Sequence, residues 1–299
     1  MANKFQEEFS RRFRRIITNS PDGTPQWLPL IESGNDLGLY RPTDAPWVVH
    51  ADLTTLIGGI RALLMQALHP GSLAGVADHS RYEQDPLGRL AGTTRWLTIL
   101  TFGSLEAIEK ESARVNAMHK KVVGSYPDNQ GAAKNYAAAD QDLLLWVHIA
   151  FTESFLVTNE VYGVTPIPGG SDAYVQQWSK AVEPLGLSQA PQTRAELIAA
   201  MHSFDSVLRA DKRTLSVIEF IKHPPLSLAA RLAYAIMFQA AAVTIEPKYR
   251  KLLGLKALPK PLIVPIGRTL LKGMRLALGG ISPLEEAALA RHERLTKTS

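Results

Sequence analysis

Four histidines, His69, His79, His119 and His148, fall in the part of the chain richest in helical patterning, and the chain contains no cysteine. Disulfides, cysteine nucleophiles, Cys-held iron–sulfur clusters, zinc ribbons and thiolate-ligated haem are therefore excluded. A bound metal or haem has to use His, carboxylate, Tyr or Met. His119 recurs with Leu105, Ile108, Ser112, Val115 and Val122 on one stripe, and on a helical wheel it falls between Ile108 and Ser112, facing inward. His148 sits in LLLWVHIAF, a run apolar nearly all round, so its burial is expected. A buried neutral imidazole needs a partner for each ring nitrogen: a carbonyl or a Tyr hydroxyl supplies one, and so does a metal or haem iron.

Arg89 and Thr93 are four residues apart and share a helix face with Trp96 or Leu97. A guanidinium and a hydroxyl beside an apolar wall can orient an anion or a bound oxygen molecule and donate a proton to it. The plainer alternative pairs Arg89 with Asp85 and bonds Thr93 to its own backbone. Gly58-Gly59 in mid-helix costs about 1 kcal/mol per glycine relative to Ala, which suggests close approach by another backbone or a flat ligand.

Several chemistries lack their signatures. There is no G-x-x-x-x-G-K-[ST], no G-x-G-x-x-G, no G-x-S-x-G and no H-E-x-x-H. No histidine has an acidic residue three positions before it, which removes the Glu-x-x-His signature of a di-iron bundle. His50-Ala51-Asp52 has the H-x-D spacing of a facial triad, but the helical background is wrong for the usual iron oxygenase barrel.

The elements that must position these residues are helices, because 3.6-residue periodicity dominates and strand-like alternation is almost absent. Leu53 to Ala67 form one apolar face, ended by Pro70. Asp85-Pro86 starts a helix running through Trp96 and Leu100, and Gly103-Ser104 restarts the chain into a helix reaching Val122. Asp140 to Tyr162 reads as a central helix. Further helices are expected near 171–185, 193–208, 211–222, 226–245, 265–278 and 283–295, with Pro-rich turns at Pro166–Pro168, Pro224-Pro225 and Pro259–Pro265. The expectation is an all-α fold of roughly ten to twelve helices around 140–162, forming one domain over residues 1–299.

Phe5, Phe9, Phe13 and Ile16 recur at helical spacing among four arginines, giving an amphipathic helix over 3–18 that either packs on its own domain or makes peripheral membrane contact. It has no secretory-signal core, so cytoplasmic residence is the expectation. The longest apolar stretch, Leu226 to Ile245, contains Arg231 and Gln239 and reads as a buried helix. Net charge is +5, unevenly spread: Arg209 to Ser299 carries +10 and residues 1–208 carry −5. The basic residues, including those of the helical segment 256–299, are dispersed among Leu and Pro with no nucleic-acid motif, so no nucleic-acid partner is expected.

Four blocks carry a resemblance: GGIRALLMQALHPGSLAGVADHSRYEQDPLGRLAGTTRW (58–96), RVNAMHKKVVG (114–124), YAAADQDLLLWVHIAF (136–151) and HPPL (223–226). Together they resemble the mpaB-type and rubber oxygenase (latex clearing protein) catalytic-domain family, over residues 40–255 or so. The resemblance implies an all-helical protein with haem b that cleaves carbon–carbon double bonds of isoprenoid chains with dioxygen. It places the single iron ligand on His119 and the distal Arg and Thr on Arg89 and Thr93. The sequence departs from the rubber oxygenases at Gly92, where a lysine is expected, and at Asn116 and Val123, where arginines are expected.

The resulting expectation is a haem-dependent oxygenase or related oxidoreductase acting on an apolar small molecule of isoprenoid type. In it His119 binds iron, His148 is a further cofactor-binding histidine, Arg89 steers oxygen or a propionate, and Thr93 bonds to iron-bound oxygen. The helices around Trp96 and Trp146 form the pocket. Two alternatives stand beside it: a non-catalytic module holding haem or a lipid, and a non-haem metal site built from His69, His79, His119 or His148.

Overall fold

The computed structural model of the protein describes residues 4–79, 84–128 and 130–297. Within them the chain forms fifteen α-helices and a single two-stranded hairpin, so the fold is all-α as the periodicity implies. Helices α1 (Lys4–Thr18), α2 (Leu28–Glu32), α3 (Ala45–Ala51), α4 (Thr54–Gln66) and α5 (Pro70–His79) come first. They are followed by α6 (Pro86–Phe102), α7 (Leu105–His119), strands β1 (Val123–Pro127) and β2 (Ala133–Ala137), and the long α8 (Gln141–Tyr162). The chain continues through α9 (Gly170–Trp178), α10 (Arg194–Ser203), α11 (Lys212–Lys222), α12 (Leu228–Ala242), α13 (Pro247–Leu252), α14 (Lys260–Leu278) and α15 (Pro283–Lys297).

The core is built on α8, whose Trp146, Ile149, Ala150 and Phe155 are buried, packed against α4. Gly58 makes that approach possible. A Cβ there would lie 2.7 Å from Phe155 Cδ1 and 2.8 Å from Thr158 Oγ1, closer than van der Waals contact allows. Buried polar bonds fix the register. Arg61 on α4 donates Nη2 to Glu153 Oε1 at 2.8 Å and Nη1 to Ser154 Oγ at 2.8 Å on α8, while Trp146 Nε1 donates to the Gln66 carbonyl at 3.3 Å. α14 crosses α8 where Gly267 faces Tyr162, and the Tyr162 hydroxyl donates to the Ala240 carbonyl of α12 at 3.0 Å.

The structure departs from the sequence-based expectations in local ways. α7 ends at His119 rather than Val122, and β1 and β2 follow as an antiparallel pair with Val123 opposite Ala137. Only Tyr126 and Tyr136 of the hairpin are buried, against Ala74 and Leu143, so each strand is too polar for alternation to stand out. The expected helix 171–185 stops at Trp178 and continues as two 3₁₀ turns, because Pro184 cannot sit in a helix interior. Conversely, the expected turn Pro259–Pro265 is helical from Lys260. Pro261 occupies the first turn, where no N–H is needed, and Pro265 is exposed, so water can reach the carbonyl it leaves free. The apolar stretch expected to be a buried helix is α12, which buries Phe238 and Ala240–Ala242 but leaves Leu228 and Leu232 in solvent.

Asn3 and the Phe5 side chain, at the start of the expected amphipathic helix, lie outside the described residues and side chains. Ser80–Glu83, within the first of the four sequence blocks, also lie outside the described residues. No single described helix is long and apolar enough to cross a membrane. α3 and α4 pass that test only as a pair, and they are bent by 93°.

Candidate functional site

A largely apolar cavity of about 1200 Å³ opens between α1, α4, α5, α6, α8, α11, α12 and α14, with His50 of α3 also on its wall. The sequence reading placed the pocket around Trp96 and Trp146; neither lies on this wall. Trp146 is wholly buried in the core, and Trp96 packs edge-on to Trp178. Phe9, Phe13 and Ile16 turn the apolar face of α1 onto the cavity. Gly59 and Gly273 face it from α4 and α14 with no atom within 4 Å of where a Cβ would stand. The two mid-helix glycines of α4 thus divide the roles suggested by their sequence: Gly58 admits α8, and Gly59 leaves room in the cavity.

Arg89 and Thr93 lie together on this wall, so the four-residue spacing does put them on one face of α6. The plain alternative for Arg89 fails. Asp85 is occupied as the cap of α6, accepting from the Gly88 N–H at 2.9 Å, and among the described residues Arg89 has neither an ion pair nor a hydrogen bond to its side chain. Burial lowers the guanidinium's affinity for its proton from the ordinary value, but the group keeps its charge. Arg12, the other charged residue on the wall, donates to Glu8 at 2.7 Å, so Arg89 is the cation there without a compensating partner among the described residues. Thr93 keeps its backbone bond: Oγ1 donates to the Arg89 carbonyl at 3.3 Å.

The histidines separate into two groups. His69 Nδ1 accepts from the N–H groups of Gly71 and Ser72 at 3.2 and 3.3 Å, making it the cap of α5, and burial brings its pKa down to about 4. His79 Nε2 bonds the Val123 carbonyl at 3.0 Å and ties α5 to β1. His50, which the sequence raised only through H-x-D, is satisfied on both sides. Thr101 spends its proton on the Leu97 carbonyl, so His50 Nδ1–H donates to Thr101 Oγ1 at 3.0 Å and Nε2 accepts from the Tyr174 hydroxyl at 2.9 Å. Asp52 pairs with Arg275, which removes the H-x-D motif from metal binding.

His119 and His148 are different. His119, at the last position of α7, is half-buried, and its Nδ1 is buried with no partner among the described residues. Burial first, and then the positive charge of Arg89, holds its pKa below the ordinary value, so the ring is neutral near pH 7 and has a lone pair to offer. His148 is buried on α8, its Nε2 lacks a partner, and burial takes its pKa down to about 4. Trp96 Nε1 and Ser112 Oγ are likewise unpartnered, so four such groups lie on the consecutive helices α6, α7 and α8. Neither His119 nor His148 is on the cavity wall itself; Arg89 is, and its charge reaches His119.

Over residues 47–276 the chain matches the family described as ER-bound oxygenase mpaB/B'/Rubber oxygenase, catalytic domain. The chain belongs to this oxygenase family. The match runs from α3 into α14 and takes in every wall of the cavity except α1; the family implies use of dioxygen. No curated protein and no solved structure matches the chain.

The donor set bears on which cofactor the site suits. Among the described residues no three His, Asp or Glu side chains come together to hold a metal ion, so a non-haem site lacks its ligands. Haem needs only one histidine from the protein, and the features that fit it are an unpartnered imidazole nitrogen on α7, off the cavity wall, and on the wall Arg89, a cation unpaired among the described residues, with open room at Gly59 and Gly273. Sequence reasoning missed the walls from α1, α12 and α14. Their apolar positions carry the same periodicity as core packing, and nothing in it distinguishes a face turned to a cavity.

Proposed function

We propose that the protein is a haem-dependent oxygenase acting on an apolar small molecule of isoprenoid type. The observation that carries the reading is the half-buried Arg89 on the wall of an apolar cavity, uncompensated among the described residues, near a neutral histidine with an unpartnered nitrogen. His119 would hold the iron of haem b through its free lone pair, and when bound the haem supplies dioxygen activation. Arg89 sets a positive charge where negative charge develops on oxygen, and it costs little reorganisation because the guanidinium is partly desolvated and unpaired among the described residues. Thr93, one turn along, presents its hydroxyl to the same side. The aromatic and aliphatic wall binds the hydrocarbon chain and excludes water. Gly92 places no cation beside Thr93 where the rubber oxygenases are expected to have lysine, which favours a small molecule over the polymer.

The test is expression of the full chain with haem supply, followed by an absorption spectrum and iron assay, then aerobic incubation with short isoprenoid alkenes. The expected result is about one haem per chain and oxygen-dependent formation of carbonyl products. Stoichiometric haem without turnover would instead favour a binding or sensing module. Iron without a Soret band would overturn the haem reading.

A further inference from the structure

The cavity wall includes several residues that are also solvent-exposed: Arg12 on α1, Ser227 at the start of α12, and Ile266, Thr269 and Gly273 on α14. These mark the mouth. On α14, Leu262, Ile266, Thr269, Gly273 and Leu276 succeed one another at helical spacing on one exposed stripe. On α12, Leu228 is 84% exposed and Leu232, one turn on, 71%; Leu276 is 71% exposed. Five of the fourteen large hydrophobic side chains exposed in the described residues, Leu228, Leu232, Leu262, Ile266 and Leu276, lie on α12 and α14, the two helices that flank the mouth.

On α12 and α14 themselves the charges have one sign. α12 and α14 contain no Asp or Glu. Arg231, Lys260, Arg268 and Lys272 are all exposed, and none has an ion pair among the described residues. Protruding leucines amid uncompensated cations match the boundary of a bilayer with anionic head groups, where hydrocarbon accepts the leucines and phosphates meet the cations. A protein partner seated there would seal the entrance, whereas a bilayer opens the apolar cavity to apolar molecules dissolved in it. No described helix is fit to span a membrane, so the contact is peripheral.

We infer that the protein docks on an anionic lipid surface through α12 and α14, with the cavity mouth facing the bilayer. The inference rests on the mouth and its surroundings and holds with or without haem. It is tested by flotation of the full chain with vesicles of phosphatidylcholine alone and with phosphatidylserine added. Binding is expected only to the anionic vesicles, weakening as salt is raised. L228S/L232S should weaken it on the order of tenfold or more. K260Q/K272Q should weaken it by up to about 25-fold, since each surface cation is worth about fivefold. All four side chains are exposed, so circular dichroism and any haem spectrum should match wild type. Failure of the wild-type chain to float, or wild-type binding by both double variants, would overturn the proposal. So would a dimer, seen by light scattering, that L228S/L232S dissolves in a chain that ignores vesicles; a second copy would then cover this face.

Discussion

His50 and the pair His119 and His148 are buried or half-buried imidazoles of one chain with opposite surroundings. His50 is enclosed by α6 and α9, each ring nitrogen has a hydroxyl, and its ring packs edge-on to Trp178. Burial takes its pKa to about 3, so it stays neutral; it lines the cavity, but with both ring nitrogens already partnered. Among the described residues His119 and His148 each leave a ring nitrogen without a partner, and His119 feels the charge of Arg89, itself unpaired there. An unmade buried hydrogen bond costs about 1–3 kcal/mol, and His50 shows that this fold can supply partners where a histidine serves stability. Buried groups left without partners are where a ligand is expected to complete them.

The comparison breaks most directly at the proposed iron ligand. His119→Ala is expected to abolish stoichiometric haem binding while far-ultraviolet circular dichroism stays unchanged, since His119 ends its helix and holds no hydrogen bond through its ring among the described residues. His148→Ala is expected to keep the Soret band, and His50→Ala to keep it while losing stability. A full Soret band in His119→Ala together with its loss in His148→Ala would reassign the ligand to α8.

The next effect concerns oxygen chemistry. Arg89→Ala and Thr93→Ala should each lower turnover, by on the order of 10²–10³ where a preorganised donor is lost, with haem content near wild type. Arg89→Ala should have the larger effect, because its charge is uncompensated whereas Thr93 already spends its proton on a backbone carbonyl. Haem loss in Arg89→Ala with normal oxygen-adduct lifetime in Thr93→Ala would show that the guanidinium anchors a propionate.

How much of this was legible in the sequence follows from what each signal measures. Periodicity reported burial, so α4, α6, α8 and α11 were readable, and so was the shared face of Arg89 and Thr93. Asp85-Pro86 marked a real helix start because its carboxylate caps Gly88. The hairpin was missed although Pro127-Asp128 and Gly131 carried a turn signal, with Asp128 Oδ1 accepting from Gln130 and Ala132. Periodicity cannot tell a buried face from one lining a cavity, so α1, α12 and α14 gave no sign of enclosing the site. Nor could spacing separate His69, a helix cap, from His119. That difference depends on which backbone N–H groups reach the ring, and His69 is followed by Pro70, which starts a helix whose first donors need a cap.

The smallest effect sharpens the stability side of the comparison. His50 titrates near 6.5 when unfolded but only at about 3 in the fold, so between these values the unfolded chain binds a proton that the native state refuses. Its contribution to stability is therefore full above pH 6.5 and declines as pH falls toward 3, with a slope of about 1.4 kcal/mol per pH unit. His69 and His148, both lowered to about 4 by burial, add in the same direction. From pH 6.5 to 5 the three together should remove about 5 kcal/mol, a large part of an ordinary domain's 5–15 kcal/mol. Urea unfolding of the haem-free chain at pH 7, 6 and 5 measures this directly. His50→Asn should be less stable at pH 7, because it cannot reach both Thr101 and Tyr174, yet it should flatten the pH dependence by about 1.4 kcal/mol per unit. A His50→Asn protein with the wild-type slope would mean that His50 titrates normally in the fold, and the contrast with His119 would then rest on hydrogen bonding alone.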